Sequence, residues 1–371
     1  MKIVFYGNIA SAIEGSPLGG GEYQLSLIAK QFALNNNVVV LDTVAPKSYK
    51  INNIDIVSLK YKYFNNHLYK IFNLFFLYKE LIKSKGDIYY GRIRGYHHIL
   101  AVIAAYYNSS KVVYHCAHDL DFSDLKSRIK NFYLKKGILY SLKSGLITEI
   151  LFYSYIKRVD LVVLQHKNQF SNILRNKQTI IIPNIFNPPN ISLYKNSINL
   201  KFDDYILYVG SIDKRKGFDN MIKTAKLCPN QNFVIIGKVR SKSFEEKVIK
   251  FMRLPNVSYL GYLEHDNVIN VLSNAQCLIS TSLGEGFPNV FIEAWSQGIP
   301  TISLNVDPGN SLTENEIGYY AEGDLSKLIG FIKGKDFKKI KKNTILSYFK
   351  TTFENVNVPN FVLKKLNLDN E

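Results

Sequence analysis

The chain contains two successive series in which short apolar segments alternate with segments whose apolar residues recur at helical spacing. This alternation constrains the fold more than any other feature. In the first half, the pattern predicts strands over 2–7, 37–43, 87–90, 111–114, 161–164 and 179–182. In the second half, it predicts strands over 205–209, 232–236, 257–260, 277–280 and 301–304. Brief apolar strands separated by helices are typical of a parallel sheet that is covered on both faces. The sequence therefore predicts an α/β protein with two Rossmann-like, doubly wound domains.

A turn-rich segment separates the two series of strands. It reads PNIFNPPN over 183–190 and has no apolar periodicity. We therefore assign an N-terminal domain to 1–184, a linker to 185–204 and a C-terminal domain to 205–345, whereas 346–371 is predicted to be a helical segment that returns to the first domain. Ligands of open α/β sheets bind at the carboxyl ends of the strands, so a cleft between the two domains is the predicted binding region.

Composition excludes several classes of protein. The three cysteines are far apart and have neither disulfide-framework nor metal-ligand spacing. The first residues, MKIVFYG, are too short an apolar run for a signal peptide, and no window is apolar enough for a spanning helix. The expectation is a soluble, cytoplasmic protein that is neither a disulfide-stapled domain nor a zinc ribbon.

The charge is strongly positive and unevenly distributed. Lys and Arg number 47 against 30 Asp and Glu, a net charge of +17. Residues 1–184 carry 24 basic against 11 acidic residues, and 126–158 alone carry eight against one. The segment 126–158 is also aromatic and amphipathic, so it is interpreted either as core helices with solvated lysines or as a face that contacts an anionic membrane.

The segment EGFPNVFIE contains the most informative carboxylates, Glu285 and Glu293. Glu285 is predicted to follow a strand, and Pro288 suits the first turn of the next helix. A helix N-terminus offers free N–H groups to a phosphate, and a carboxylate can accept hydrogen bonds from two adjacent sugar hydroxyls. Taken alone, a glutamate such as Glu293 is more commonly a solvated helix residue, and Glu285 could be a surface charge of a loop. A carboxylate in the apolar helix VFIEAW nevertheless needs a partner.

Two further segments have the character of anion sites. Lys216 and Gly217 follow a strand that ends at Gly210, which places an ammonium group near the carboxyl edge of the sheet. The run Gly19-Gly20-Gly21 precedes the first long helix, and glycines there allow backbone N–H groups to approach a diphosphate. Each segment alone is also compatible with an ordinary solvated turn.

In this order the motifs resemble those of the retaining family-4 glycosyltransferases of the GT-B fold (glycosyltransferase group 1). The resemblance is carried by EGFPNVFIEAWSQGIP, Lys216-Gly217, Gly20-Gly21-Glu22, His118-Asp119, Pro183-Asn184, Tyr259-Leu260-Gly261-Tyr262 and the stretch 318–324. It implies a nucleotide-diphosphate sugar as donor and a glycan or lipid-linked acceptor, with no cofactor, no metal and no nucleic acid.

The resemblance also implies roles for individual residues. Glu285 would bind the transferred sugar, Glu293 the ribose, and Lys216 the diphosphate, while Tyr262 would border the base. His118 would lie near the sugar and the acceptor. Backbone N–H groups of Gly20, Gly21, Phe287, Asn289 and Val290 would assist at the diphosphate. Ser211 stands where the family commonly has Arg, and Arg215 is the candidate replacement for that charge.

Retention of configuration in this family is ascribed to front-face attack within an ion pair, so the resemblance implies no enzyme nucleophile. A membrane-facing lipid acceptor would explain the basic first half, and the implied setting is polysaccharide or lipopolysaccharide assembly, peripheral on the cytoplasmic face of the inner membrane. Two alternatives stay open: a nucleotide-sugar epimerase of the same fold, and a non-catalytic protein that binds polyanions.

Overall fold

A computed structural model describes residues 1–16, 19–59, 67–92, 94–122, 146–188, 198–240 and 242–369. Contacts divide the chain into two compact units. Unit 1 comprises Met1–Ile185 and Val356–Glu371, and unit 2 comprises Phe186–Asn355. Each unit is built on its own sheet.

The elements alternate along the chain in both units. The strands are β1 (Lys2–Tyr6), β2 (Asn37–Asp42), β3 (Tyr49–Ile51), β4 (Ile54–Ser58), β5 (Ile88–Gly91), β6 (Lys111–His115), β7 (Leu161–Leu164), β8 (Thr179–Ile181), β9 (Ile206–Val209), β10 (Phe233–Ile236), β11 (Val257–Gly261), β12 (Cys277–Ser280), β13 (Thr301–Ser303) and β14 (Gly318–Tyr320). The α-helices are α1 (Ala10–Ile13), α2 (Gly20–Phe32), α3 (His67–Ser84), α4 (Tyr96–Asn108), α5 (Leu146–Ile156), α6 (Phe218–Leu227), α7 (Lys242–Phe251), α8 (His265–Ser273), α9 (Asn289–Ser296), α10 (Ser311–Asn315), α11 (Leu325–Lys333), α12 (Lys342–Thr352) and α13 (Val358–Lys365).

The sheets confirm the predicted doubly wound α/β class. In the described residues, unit 1 has the strand order β3-β4-β2-β1-β5-β6-β7-β8 and unit 2 has the order β11-β10-β9-β12-β13-β14. The order in unit 2 is the 3-2-1-4-5-6 arrangement of a Rossmann sheet. One correction applies to unit 1, where β3 pairs antiparallel with β4. This hairpin was not predicted, because the Asn52-Asn53 turn and its short strands carry little apolar signal.

Both faces of each sheet are buried, which explains why the strands read as continuous apolar runs. Along β1, Ile3 and Phe5 belong to one core cluster, whereas Val4 and Tyr6 belong to another. The strands of unit 2 alternate in the same way between two clusters. Such a sheet positions loops at its carboxyl edge on a rigid base.

The end of the chain contributes to both units. Helix α12 packs on α9 in unit 2, where Phe349 and Phe353 join the core cluster that holds Trp295. The return to unit 1 therefore begins at Val356 rather than at residue 346. There the Gln31 side chain donates a hydrogen bond to the Val356 carbonyl (2.8 Å) and accepts one from the Val358 amide (3.0 Å). These two bonds anchor α13 beside α2.

Candidate functional site

Lys216 and Glu285 form an ion pair at the carboxyl edge of the unit 2 sheet. Lys216 lies in the loop after β9 and Glu285 in the loop after β12, and these two strands pair in parallel. The Lys216 Nζ atom is 2.6 Å from Glu285 Oε1, and the side chains are 23% and 21% exposed. The structure thus brings together two residues that the sequence had placed in separate motifs.

The loops after β9 and β12 are joined through their backbones. Gly217 has a φ of +63°, and a Cβ atom there would lie 1.8 Å from the Thr281 carbonyl oxygen. The Leu283 amide donates to the Arg215 carbonyl (3.0 Å), and the Thr281 hydroxyl donates to the Lys216 carbonyl (3.2 Å). Lys216 is therefore held between two backbone contacts, and only glycine fits at the position after it.

Ser211 has a defined role inside the basic loop. Its hydroxyl donates to Asp213 Oδ2 (2.8 Å), while Asp213 Oδ1 accepts a hydrogen bond from the Lys216 amide (2.9 Å). Ser211 thus helps to orient the carboxylate that shapes the loop. Arg215 is exposed and forms no ion pair with any residue that the structure describes. Its replacement of the charge missing at Ser211 stays a prediction.

Glu293 lies in the second turn of α9 and is contacted by His265, a residue that was not predicted to belong to the site. His265 begins α8, and its Nε2 atom is 3.1 Å from Glu293 Oε1. The hydrogen bond to Glu293 raises the pKa of His265, and the charges of Glu293 and Asp266 act in the same direction against the effect of burial. His265 could have been proposed from the sequence, because it is a polar residue at the start of a helix that closely follows a strand.

The N-terminus of α9 faces the same loop region. The helix begins at Asn289, with Pro288 as its N-cap residue rather than its first helical residue. Asn289 and Val290 form the first turn of α9, and the partial positive charge of a helix N-terminus favours an anion beside it. Phe287 is 7% exposed and packs on Trp295, with 6.0 Å between ring centroids.

Tyr262 follows β11 and is 64% exposed. Gly261, the last residue of β11, accepts a hydrogen bond from the Gly237 amide at 2.7 Å, which ties the end of β11 to the end of β10. Because all strands of this sheet are parallel, Tyr262 lies at the same edge as Lys216. This position and exposure are compatible with stacking on a base.

The remaining predicted residues lie in unit 1. Gly20 and Gly21 form the start of α2, which follows β1. His118 lies in the loop after β6, and its amide donates to Asp121 Oδ2 (3.1 Å). The donor contacts predicted for Gly20 and Gly21, and the acceptor role of His118, stay predictions of the sequence.

A hydrogen-bonded network beside His118 was not predicted. Asp119 Oδ1 lies 2.9 Å from His166 Nε2 and accepts a bond from Gln169 Nε2, also at 2.9 Å. Gln165 bonds to Gln169 (3.1 Å) and to Asn184 Oδ1 (2.7 Å). These residues follow three different strands, so no local pattern in the sequence links them. The network fixes the loop that carries His118.

The described residues contain neither a metal-ligand cluster nor a membrane-spanning helix. Among the described residues, no three His, Cys, Asp or Glu side chains gather as a metal site would require. Within the same ranges, no helix has both the length and the apolar character to cross a membrane. Most of the basic segment 126–158 lies outside the described residues, which resume at Leu146.

The two Rossmann-like units match the fold of solved GT-B glycosyltransferases, and unit 2 carries a lysine, two carboxylates and a helix N-terminus at one sheet edge. Residues 192–324 match the model of the family described as Glycosyl transferases group 1. This segment contains Lys216, Glu285, Glu293 and His265. The predicted resemblance to GT-B enzymes of group 1 is therefore confirmed, whereas the retaining family-4 subtype stays a prediction.

Individual relatives agree with this classification. The chain is 27% identical over 197 residues to a Methanocaldococcus jannaschii protein named an uncharacterized glycosyltransferase, which covers 48% of each chain. It is 27% identical over 183 residues to the capsular polysaccharide biosynthesis glycosyltransferase CapM of Staphylococcus aureus, covering 44% of this chain and 48% of CapM. The chain thus spans about half the length of the curated relatives it matches.

A solved structure extends the likeness to the whole fold. HepE of Anabaena, whose crystal structure is a complex with UDP, has a TM-score of 0.69 and 16% identity to this chain. The match covers 99% of this chain and 100% of HepE. At this identity, the comparison establishes the fold of both units.

Proposed function

We propose that the protein is a retaining glycosyltransferase that moves a sugar from a nucleotide-diphosphate donor to a glycan or lipid-linked acceptor. The carrying observation is the contact between Lys216 and Glu285 (2.6 Å), beside the N-terminus of α9 in a group 1 domain. This edge combines a cation, a carboxylate and the N-terminus of a helix. Those are the groups that a sugar diphosphate requires.

The proposed chemistry breaks the bond between the anomeric carbon and the diphosphate oxygen and forms a bond from that carbon to an acceptor hydroxyl oxygen, whose proton passes to the departing diphosphate. Negative charge grows on the departing diphosphate, while the sugar becomes oxocarbenium-like. Lys216 and the first N–H groups of α9 stabilise the diphosphate, since preorganised donors act most strongly where charge develops. Glu285 binds hydroxyls of the transferred sugar, and Glu293 those of the ribose. Because the positive groups come from the chain, the reaction is proposed to need no metal.

The acceptor is proposed to belong to cell-surface polysaccharide or lipopolysaccharide assembly. CapM, a relative named for capsular polysaccharide biosynthesis, supports this assignment. The basic first half supports an acceptor at an anionic membrane surface, because each Lys or Arg near such a surface contributes about 1 kcal/mol. Sedimentation with anionic liposomes at low and high salt tests this part. Equal amounts in the supernatant with and without liposomes at low salt would remove it.

The enzymatic proposal is tested by incubation with a panel of UDP, ADP, GDP and TDP sugars, followed by chromatography that separates isomeric sugars, with mass detection. We expect slow donor hydrolysis by the wild-type protein, whereas an epimerase would return an isomeric sugar and a polyanion-binding protein would leave every donor intact. Glu285→Ala is expected to lower the rate by about 100-fold or more, because it removes a contact made at the reacting sugar.

Glu322→Ala provides the matched control for Glu285→Ala. Glu322 is 64% exposed and forms a surface ion pair with Lys327, so its loss is expected to leave the rate unchanged. Wild-type hydrolysis by Glu285→Ala would contradict the assigned site, and intact donors throughout would contradict the enzymatic proposal itself.

A further inference from the structure

We propose that His265 is a positioning residue for nucleotide recognition: it fixes one oxygen of Glu293 so that the other accepts hydrogen bonds from the ribose hydroxyls of the donor. This inference rests on the proposed function, because it concerns the carboxylate assigned to the ribose. It adds a residue from a different helix to that subsite.

The geometry ties the two side chains together. His265 Nε2 lies 3.1 Å from Glu293 Oε1, and the Glu293 side chain is only 13% exposed. Among the described residues, no other side chain bonds to this carboxylate. Oε2 therefore retains its full capacity to accept hydrogen bonds.

The surroundings of Glu293 explain why such a partner matters. Its neighbours Phe291, Ile292 and Ala294 are buried, so the carboxylate lies on the edge of an apolar core. A glutamate side chain that is free to rotate loses entropy when it binds a ligand. A bond that already fixes the carboxylate lowers this cost and improves the match to two adjacent hydroxyls.

The charges that face His265 come from two elements. Glu293 on α9 accepts its hydrogen bond, and Asp266, the next residue on α8, lies with Oδ1 3.8 Å from its Nδ1 atom. Both neutral and protonated imidazole can donate from Nε2. A glutamine at 265 can also donate from its side-chain amide, whereas leucine cannot.

The test compares a ribonucleotide with its deoxy form. UDP, ADP and GDP are titrated into the wild-type protein by calorimetry, and the tightest binder is then compared with its 2′-deoxy counterpart. We expect a wild-type preference for the ribonucleotide of about tenfold, as for a hydrogen bond to a charged group. His265→Leu is expected to reduce this ratio to about twofold, while His265→Gln keeps most of it.

Asp266→Asn is the matched control, since it changes the neighbouring residue but leaves the bond to Glu293. Its ratio is expected to equal that of the wild type. An unchanged ratio in His265→Leu overturns the inference, as does an equal loss in Asp266→Asn, which would indicate a general disturbance of α8. If no nucleoside diphosphate binds the wild type, the proposed function fails first. Should His265→Leu not fold, loss of the ratio in His265→Gln also overturns the hydrogen-bond explanation.

Discussion

Gly217→Ala adds a single methyl group, and we expect it to destabilise unit 2 and to lower the activity of the site. Gly217 has a φ of +63°, which costs an L-residue about 1–2 kcal/mol. In addition, the new Cβ would lie 1.8 Å from the Thr281 carbonyl oxygen, so the two loops must separate. We expect a total destabilisation of about 3–4 kcal/mol, because strain at a special backbone conformation and a backbone clash act together.

Gly261→Ala separates these two contributions. Gly261 has a φ of +73°, but a Cβ there meets no atom within 4 Å. Its substitution therefore carries only the backbone cost of about 1–2 kcal/mol. The difference between the two variants in the free energy of unfolding therefore measures the cost of the clash between a Cβ atom at position 217 and the Thr281 carbonyl.

Urea unfolding followed by tryptophan fluorescence measures this difference. Trp295 is the chain's single tryptophan, and it is fully buried in unit 2, so its emission reports on the unit that contains both glycines. Donor hydrolysis is expected to fall about 100-fold in Gly217→Ala, because a displacement of about 1 Å at a reacting group has an effect of this size. Equal midpoints and equal hydrolysis in the two variants would refute the reasoning.

Two other predictions concern the charges of unit 2. Lys216→Met is expected to lower donor hydrolysis by about 100- to 1000-fold, whereas Lys216→Arg keeps the charge and loses less; equal rates for the two variants would contradict the leaving-group role. The pKa of His265 is raised, so the folded state favours the protonated imidazole. This stabilises unit 2 fully below the ordinary pKa of about 6.5, and the stabilisation is lost as the pH rises through the raised pKa. Because His265 is 37% exposed, the effect is expected to stay below about 1 kcal/mol. Urea midpoints at pH 6 and 8.5, which should shift less in His265→Gln, measure it.

The sequence predicted the parts of the fold that local patterns encode. Strands such as β7 and β12 are apolar on both faces, so their boundaries coincide with the predicted ones. The β3–β4 hairpin was missed because β3 is a half-exposed edge strand of three residues. The boundary at Val356 depends on contacts of Gln31 with residues more than 300 positions away, and no local pattern contains that information.

In the candidate site, too, some features follow from local sequence patterns and others depend on contacts between distant residues. Lys216 and Glu285 were predicted separately, since each follows an apolar strand, and parallel pairing of β9 with β12 then brings them to one edge. The bond between His265 and Glu293 depends on the packing of α8 against α9. Ser211 could be recognised as a departure from the family, but its bond to Asp213 required the conformation of the loop. Residue types were therefore predictable, whereas their partners were not.

Backbone hydrogen bonds hold the loop that carries Lys216. Two hydrogen bonds join the loop of Lys216 to the loop after β12, Leu283 amide to Arg215 carbonyl and Thr281 hydroxyl to Lys216 carbonyl, and a third, Lys216 amide to Asp213 carboxylate, lies within the loop. None of them uses the Lys216 ammonium group, which remains available for the pair with Glu285 and for a diphosphate. Since the ammonium position is set by main-chain contacts, a substitution at Gly217 can lower activity while every charged residue of the site is retained.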